Sequence, residues 1–319
     1  MLGAEKNSTC AACHRKQAST HGATGMAKAL EPAAGGEILK SHARLEFVQG
    51  PYKYTIERQG DRSIYTVSDG ERQIRANLGW AFGLGAAGQT YVFDRNGVWY
   101  ESRVSYYKDI DSLDLTVGAQ PSVPASLEDA IGRELSVKGA SECFGCHSTG
   151  AMVNGELHTE KMIAGVQCQR CHEKSDGHVN AKVIPAKLGT LTSEETSDFC
   201  GQCHRTWSTI ASDGPHNITN VRFQPYRLTN SKCYDSADNR IRCTACHDVH
   251  EEVIHAAAFY DSKCRACHST GAKAGAKLCT VAKSNCTSCH MPKVELKDAH
   301  NKFTDHWIRI AKVGGVFPN

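Results

Sequence analysis

Seven times along this chain two cysteines stand three residues apart with a histidine directly after the second. The sets are Cys10, Cys13 and His14; Cys143, Cys146 and His147; Cys168, Cys171 and His172; Cys200, Cys203 and His204; Cys243, Cys246 and His247; Cys264, Cys267 and His268; and Cys286, Cys289 and His290. They use fourteen of the sixteen cysteines. Two intervening residues let one turn of chain present both sulfurs to one side, with the histidine rising beneath them. This is the pattern of c-type haem attachment: two thioethers to the haem vinyls and an axial imidazole on the iron. Half of a zinc ribbon or a dithiol redox pair also contains Cys-x-x-Cys. Neither needs a histidine immediately after the second cysteine, and a redox pair does not recur seven times. The cofactor expected is therefore seven haem c, each with its iron.

A chain of 319 residues with 7% aromatic side chains and a mean hydropathy of −0.43 has a modest supply of core residues. Six of the seven motifs fall between 143 and 290, so porphyrin is expected to form most of the core there. The polypeptide charge of +3 does not describe the loaded protein. Two propionates on each haem, set against one positive charge per ferric centre, bring the total to about −4. No Lys/Arg run exceeds two residues, and a nucleic-acid partner is not expected. No stretch reaches the 18 or so apolar residues of a membrane helix; Ala76–Gly88 is short and glycine-rich. MLGAEKNSTC has no hydrophobic region of a signal peptide. Because haem is attached outside the bacterial cytoplasm, an exported protein is expected, periplasmic or at the cell surface and beyond.

The expected fold is a multihaem cytochrome c, mostly α-helix and loop with little regular structure around a haem array, plus an inserted antiparallel β-subdomain. Residues 1–42 read as an N-terminal module for haem 1, with a helix over 14–30 broken by EPAAGG. Residues 43–110 alternate apolar and polar side chains, and Asn96-Gly97 between two such runs is a hairpin signal. Four to six strands are expected there. Residues 111–142, with Pro121, Pro124 and a short helix around SLEDAIGREL, read as a linker, and 143–319 as a six-haem domain. Thr192 and Glu195 form a capping box that predicts the helix carrying the fourth motif.

Nine of the sixteen histidines lie outside the motifs. As distal iron ligands we single out His21, His42, His158, His178, His250, His300 and His306, leaving His216 and His255 as non-ligands. His250, three residues past a motif histidine, is too close in chain to fold over its own haem and should reach a neighbour's. His300 and His306 can reach two different irons. Met26 is a rival ligand at haem 1, where a thioether would raise the potential. Cys233 and Cys279 remain. In an exported protein two leftover cysteines most simply pair, closing a loop worth about 4 kcal/mol in the chain-entropy model; two free thiols are the alternative.

The stretches CTACHDVH, CTSCHMPK and AHNKFTDHWIRI, with SKCYD before the fifth haem motif and YVFDRNGVWYESRVSYY before the second, resemble the multihaem cytochromes related to hydroxylamine oxidoreductase and pentahaem nitrite reductase. Among these the chain is similar to a seven-haem c-type cytochrome family. The resemblance implies closely packed haem pairs and multi-electron traffic, and leaves substrate open. Catalytic relatives mark an active haem by a lysine in place of the motif histidine or by an open distal position. Here every motif ends in histidine, which favours an electron-transfer protein over an enzyme. Tyr106, Tyr107, Tyr226 and Arg227 are substrate-side candidates that read equally as packing residues. The function expected is electron transfer through a chain of seven haems, with the chain as subunit of an extracellular cytochrome filament. A soluble periplasmic carrier, or a reductase of small nitrogen or sulfur compounds with one open haem, is the alternative. Its partners would be other redox proteins, or copies of itself joined head to tail.

Overall fold

The computed structural model describes residues 10–172, 188–236, 238–269, 278–312 and 314–318. The chain divides into two compact units, Met1–Pro185 with Lys297–Asn301, and Ala186–Leu296 with Lys302–Asn319.

Antiparallel sheet dominates the first unit. After α1 (Arg15–His21), β1 (Leu30–Pro32) and α2 (Glu37–Ser41) come β2 (Arg44–Gln49), β3 (Tyr52–Gln59), β4 (Arg62–Ser68) and β5 (Gln73–Asn77), a four-stranded meander. Next are β6 (Trp80–Gly85), β7 (Gly88–Arg95), β8 (Val98–Tyr107), β9 (Ser112–Leu115), the short helix α3 (Leu127–Ala130) and β10 (Gly132–Glu134). These strands make a second sheet in the order β1-β6-β7-β8-β10, with β9 also on β8. Alternation sets the faces: Tyr54, Ile56, Tyr65 and Val67 of the first sheet share one buried cluster with Ala81, Tyr91, Phe93 and Val104 of the second. The β7–β8 connection is Asn96-Gly97, with φ of 57° and 84°. A two-residue hairpin that follows the strand twist needs positive φ at both positions, which asparagine and glycine tolerate.

The expectation of a mostly helical and irregular fold is overturned: the described residues are about 31% helical and 27% strand, with several antiparallel sheets. Between Arg44 and Tyr107 alone there are seven strands, and β1, β9 and β10 extend the pairing on either side. Tyrosine and β-branched side chains there bury a protein core that owes nothing to porphyrin. The helix expected over 14–30 stops at His21, where Gly22 caps it and a run of turns follows through Gly25. Glycine in a helix interior costs about 1 kcal/mol relative to alanine, and two of them end the element.

The first unit continues with α4 (Val137–His147), β11 (Ser148–Thr149), β12 (Met152–Val153), β13 (Glu156–Leu157), β14 (Ile163–Ala164) and α5 (Cys168–Cys171). The Ser136 side chain starts α4 by accepting from the Gly139 N–H at 3.0 Å. Phe144 on α4 is fully buried and packs edge-on to Phe82 at 5.1 Å, with Trp80 and Trp99 around it. Burial of such a side chain contributes about 2–3 kcal/mol.

The helices of the second unit are α6 (Ser193–His204), α7 (Trp207–Asp213), α8 (Gln224–Thr229), α9 (Cys243–Cys246), α10 (Ala257–Arg265) and α11 (Cys286–His290). The predicted capping box is present. Thr192 Oγ1 accepts from the Glu195 N–H at 3.1 Å, and the Glu195 carboxylate accepts from the Thr192 N–H at 2.8 Å.

Candidate haem-attachment sites

Each Cys-x-x-Cys lies in or at the end of a helical turn. Residues 10–13 are helical, Cys143 and Cys146 end α4, α5 and α9 span the third and fifth pairs, Cys200 and Cys203 end α6, Cys264 lies in the last turn of α10, and α11 carries the seventh pair. None of the motif cysteines is paired in a disulfide. A turn of helix brings residues i and i+3 to the same side, which is the presentation two thioethers require.

The turns adjoin one another. In the first unit the Cys168 thiol is raised by burial and by the Cys10 thiol hydrogen-bonded to it, so the first motif meets the third. The second and third are joined by β11 and β14, which pair directly after His147 and shortly before Cys168. Thr149 Oγ1 closes that junction, donating to the Gly165 carbonyl at 3.0 Å and accepting from the Gln167 N–H at 2.8 Å. The segment 26–29 runs alongside both. Its carbonyls accept from the Val166 N–H (Met26, 3.0 Å), from Gln167 Nε2 (Ala27, 3.1 Å) and from His147 Nδ1 (Ala29, 2.9 Å). Gly165, at φ 76°, leaves room for this: a Cβ there would stand 1.8 Å from the Ala27 carbonyl oxygen. We expect Gly165→Ala to cost about 1–3 kcal/mol from backbone strain before that clash is counted. A fall in the thermal transition, read by circular dichroism, checks it.

In the second unit the Cys200 thiol hydrogen-bonds to Cys243, and the Cys264 thiol to Cys286, while Cys246 lies in the field of Cys264. The fourth, fifth, sixth and seventh motifs therefore follow one another in space as in sequence. Asp261, 2% exposed on α10, accepts from the Asn285 N–H at 2.7 Å and the Cys286 N–H at 2.8 Å. These backbone hydrogen bonds hold its carboxyl below the usual range.

The histidines are held in ways that matter for ligation. His147 directs Nδ1 to the Ala29 carbonyl, and His290 directs Nδ1 to the Arg309 carbonyl at 3.1 Å. A carbonyl can only accept, so the proton sits on Nδ1 and the Nε2 lone pair is left for a metal. Burial pushes the His147 imidazole below its ordinary value, keeping it neutral. His306 is arranged the same way, with Nδ1 at 3.0 Å from the Thr304 carbonyl. Burial, with His247 and His204 beside it, pushes His306 down to about 4. Its ring centroid is 6.2 Å from that of His247, the fifth motif's histidine. Two metal–nitrogen bonds of about 2 Å in line, plus the half-width of each ring, separate trans imidazole centroids by roughly 6 Å. The spacing fits one iron between them.

Other sequence-predicted ligands lie elsewhere. His21 has Nε2 at 2.9 Å from the Val166 carbonyl, against the approach to the third motif. His42 is hydrogen-bonded through Nε2 to Asp111 at 3.1 Å and through Nδ1 to the Ile38 carbonyl, with Tyr106 packed on its ring and donating to Asp111 at 2.6 Å. His300 directs Nε2 to Asp114 at 2.8 Å, with Tyr107 on its ring. His158 is flanked by Glu160 at 2.9 Å and Glu156 at 3.8 Å, and His250 by Asp248 at 3.3 Å. His178 lies outside the described residues; His216 and His255 are exposed. Met26 is half-buried in the segment shared by the second and third motifs. Cys233 and Cys279 are both exposed, and Cys233 lies in the field of Cys264 and Cys267. Among the substrate-side candidates Arg227 is fully buried on Asp305. Tyr107 donates to the Leu115 carbonyl at 2.7 Å, and Tyr226 is buried on α8. All three are packing residues. Among the described residues, no three His, Cys, Asp or Glu side chains converge as a cation cage. Haem iron, with two protein ligands, does not need one.

Residues 102–173 match the family described as cytochrome c554 and c-prime, a span that takes in the second and third motifs. It covers under a quarter of the chain, and supports a multihaem c-type cytochrome with a haem-based electron-transfer role. No curated protein and no solved structure matches. No helix among the described residues is long and apolar enough to cross a membrane.

Proposed function

We propose that the chain carries seven c-type haems and passes electrons along them, one motif to the next. The observation that carries this reading is the His247–His306 pair, whose 6.2 Å centroid separation and carbonyl-anchored Nδ1 of His306 suit two axial ligands of one iron. Each haem supplies a one-electron ferric/ferrous couple. The protein's part is geometric: the paired cysteines would tether each haem, the motif histidines would hold its iron, and His306 would share the fifth iron with His247. Contacts between motif turns, first with third and fourth through seventh in series, fix the distances across which electrons tunnel. Of the motif cysteines Cys13 and Cys289 are the exposed ones, which favours the first and seventh sites as the points of exchange with partners. His21, His42, His158, His178, His250 and His300 remain distal candidates. For His42 and His300, ligation requires Nε2 to leave its carboxylate.

The test is a haem count by pyridine haemochrome and intact mass, with low-temperature EPR. Seven haems, and one fewer in Cys143→Ala/Cys146→Ala, are expected; a zinc-loaded, haem-free protein refutes the reading. Low-spin signals alone favour a carrier, and a high-spin signal favours a reductase with an open site. Exposed sites at both ends of the motif series also suit an extracellular filament, with haems facing each other across head-to-tail contacts. Polymers in negative-stain images support it, and material that stays monomeric at high concentration refutes it in favour of the soluble carrier.

A further inference from the structure

Asp261 stands out among the buried charges because it belongs to one motif helix and binds the start of another. It lies on α10, three residues before Cys264, and its two carboxylate oxygens accept the N–H groups of Asn285 and Cys286 at 2.7 and 2.8 Å. Asn285 is in the left-handed region, φ 58°, so the chain turns sharply there and aims both donors at the carboxylate. Downstream of that turn the Cys286 thiol hydrogen-bonds to Cys264. Among the described residues the cation paired with the carboxylate is Arg265, whose Nη2 is 3.8 Å away on a side chain more than half exposed. An ordinary N-cap comes from the residue preceding its helix and satisfies only that helix. This one comes from 24 residues upstream and links two haem-attachment turns.

We propose that Asp261 is a positioning residue of the electron path: it locks the sixth and seventh motif turns at a fixed separation and places a fixed negative charge beside both. The inference rests on the haem reading above. Two consequences follow from physics alone. Tunnelling depends steeply on edge-to-edge distance, so a latch between neighbouring turns controls the rate of that step. A buried anion favours the ferric over the ferrous state of a nearby iron, because the ferric site carries one more positive charge. The sixth and seventh sites should therefore be lower in potential than burial and axial ligands alone would make them. Arg265 offsets part of this, weakly, because its side chain is in solvent.

The experiment compares wild type, Asp261→Asn, Asp261→Ala and, as a control, the exposed Asp213→Asn, all as holoproteins. Readouts are haem count by mass, a spectroelectrochemical titration, and EPR of the partly reduced protein. Asparagine keeps an acceptor oxygen and removes the charge. We expect an unchanged haem count, with one or two components of the titration moved to higher potential. Alanine removes the latch as well, and should lose part of the haem at Cys286 and Cys289 or weaken magnetic coupling between the last two sites. Asp213→Asn should match wild type. If neither Asp261 variant moves a potential, the inference is overturned even with every haem in place. A wild type without haem overturns the underlying reading instead, and the haem count separates the two.

Discussion

Replacing Arg227 with methionine should destabilise the second unit by about 3–5 kcal/mol, the cost of leaving one member of a buried ion pair without its partner. Arg227 and Asp305 are both fully buried, and the guanidinium forks onto the carboxylate with contacts of 2.8 and 2.9 Å. The remaining donors reach the Asn220 side chain at 3.2 Å and the Pro318 carbonyl at 2.7 Å. Trp307 and Phe317 lie over the charge at 4.9 and 4.4 Å from their centroids. Methionine fills much of the space and supplies none of the five donors. Among the described residues Asp305 would keep the Trp307 N–H and Arg309, itself partly exposed. Arg227→Met with Asp305→Leu should recover a large part of the loss, since removing both charges removes the unpaired one. Denaturant unfolding followed by Trp307 fluorescence measures this, and a single-variant loss below about 1 kcal/mol would show the pair to be no better than a surface bridge.

The same pair sets an acid limit. Burial alone would raise the Asp305 carboxyl, but hydrogen bonds from Arg227, the Trp307 N–H and Arg309 hold it below the usual range. A carboxyl with a depressed folded-state value contributes stability that is complete above its unfolded value near 4. That contribution is lost as the pH falls through the folded value. Wild type should therefore lose stability on acidification below about pH 4 more steeply than the double variant.

What was legible in this chain was local. Cys-x-x-Cys-His needs only one turn of backbone, so all seven motifs could be read directly. Thr192 and Glu195 are three residues apart and predict α6; Asn96-Gly97 predicts the β7–β8 hairpin. The β-rich character of residues 43–110 was visible in their alternation, but its extent was not. Strands of three or four residues such as β1, β9 and β10 carry too little pattern, and they form because β6 and β8 offer them edges. The helix expected over 14–30 ends at His21 because Gly22 and Gly25 outweigh the alanine and lysine around them. Residues that act across long chain separations left no signal. Arg227 and Asp305 lie 78 residues apart. The Ala29 carbonyl that orients His147 is 118 residues from it. Asp261 reads as one more acidic residue before a motif until its partners at Asn285 and Cys286 are seen. The aspartates beside His42 and His300 are equally silent in the sequence: Asp111 and Asp114 lie 69 and 186 residues from them.

On the proposed haem reading, changing His306 to phenylalanine should open one iron, that of the fifth motif. The ring is replaced at nearly the same volume, so packing against Thr304 and His247 is largely kept. What is lost is a neutral nitrogen set opposite the fifth motif's histidine at the separation of trans imidazoles. In the oxidised protein, one low-spin EPR signal should be replaced by a high-spin one of equal spin count, with haem content unchanged because Cys243 and Cys246 still hold the porphyrin. Added imidazole should restore the low-spin signal, and cyanide should bind at one site more than in wild type. His216→Phe, at an exposed histidine, should leave every signal in place. The potential of the opened site should change while the other six components of the titration stay put, since a missing axial ligand acts on one iron. Had His306 only filled space, phenylalanine would be a near-neutral replacement and the EPR signals would match those of wild type; that outcome would remove His306 from the ligand set and with it the assignment of the fifth site.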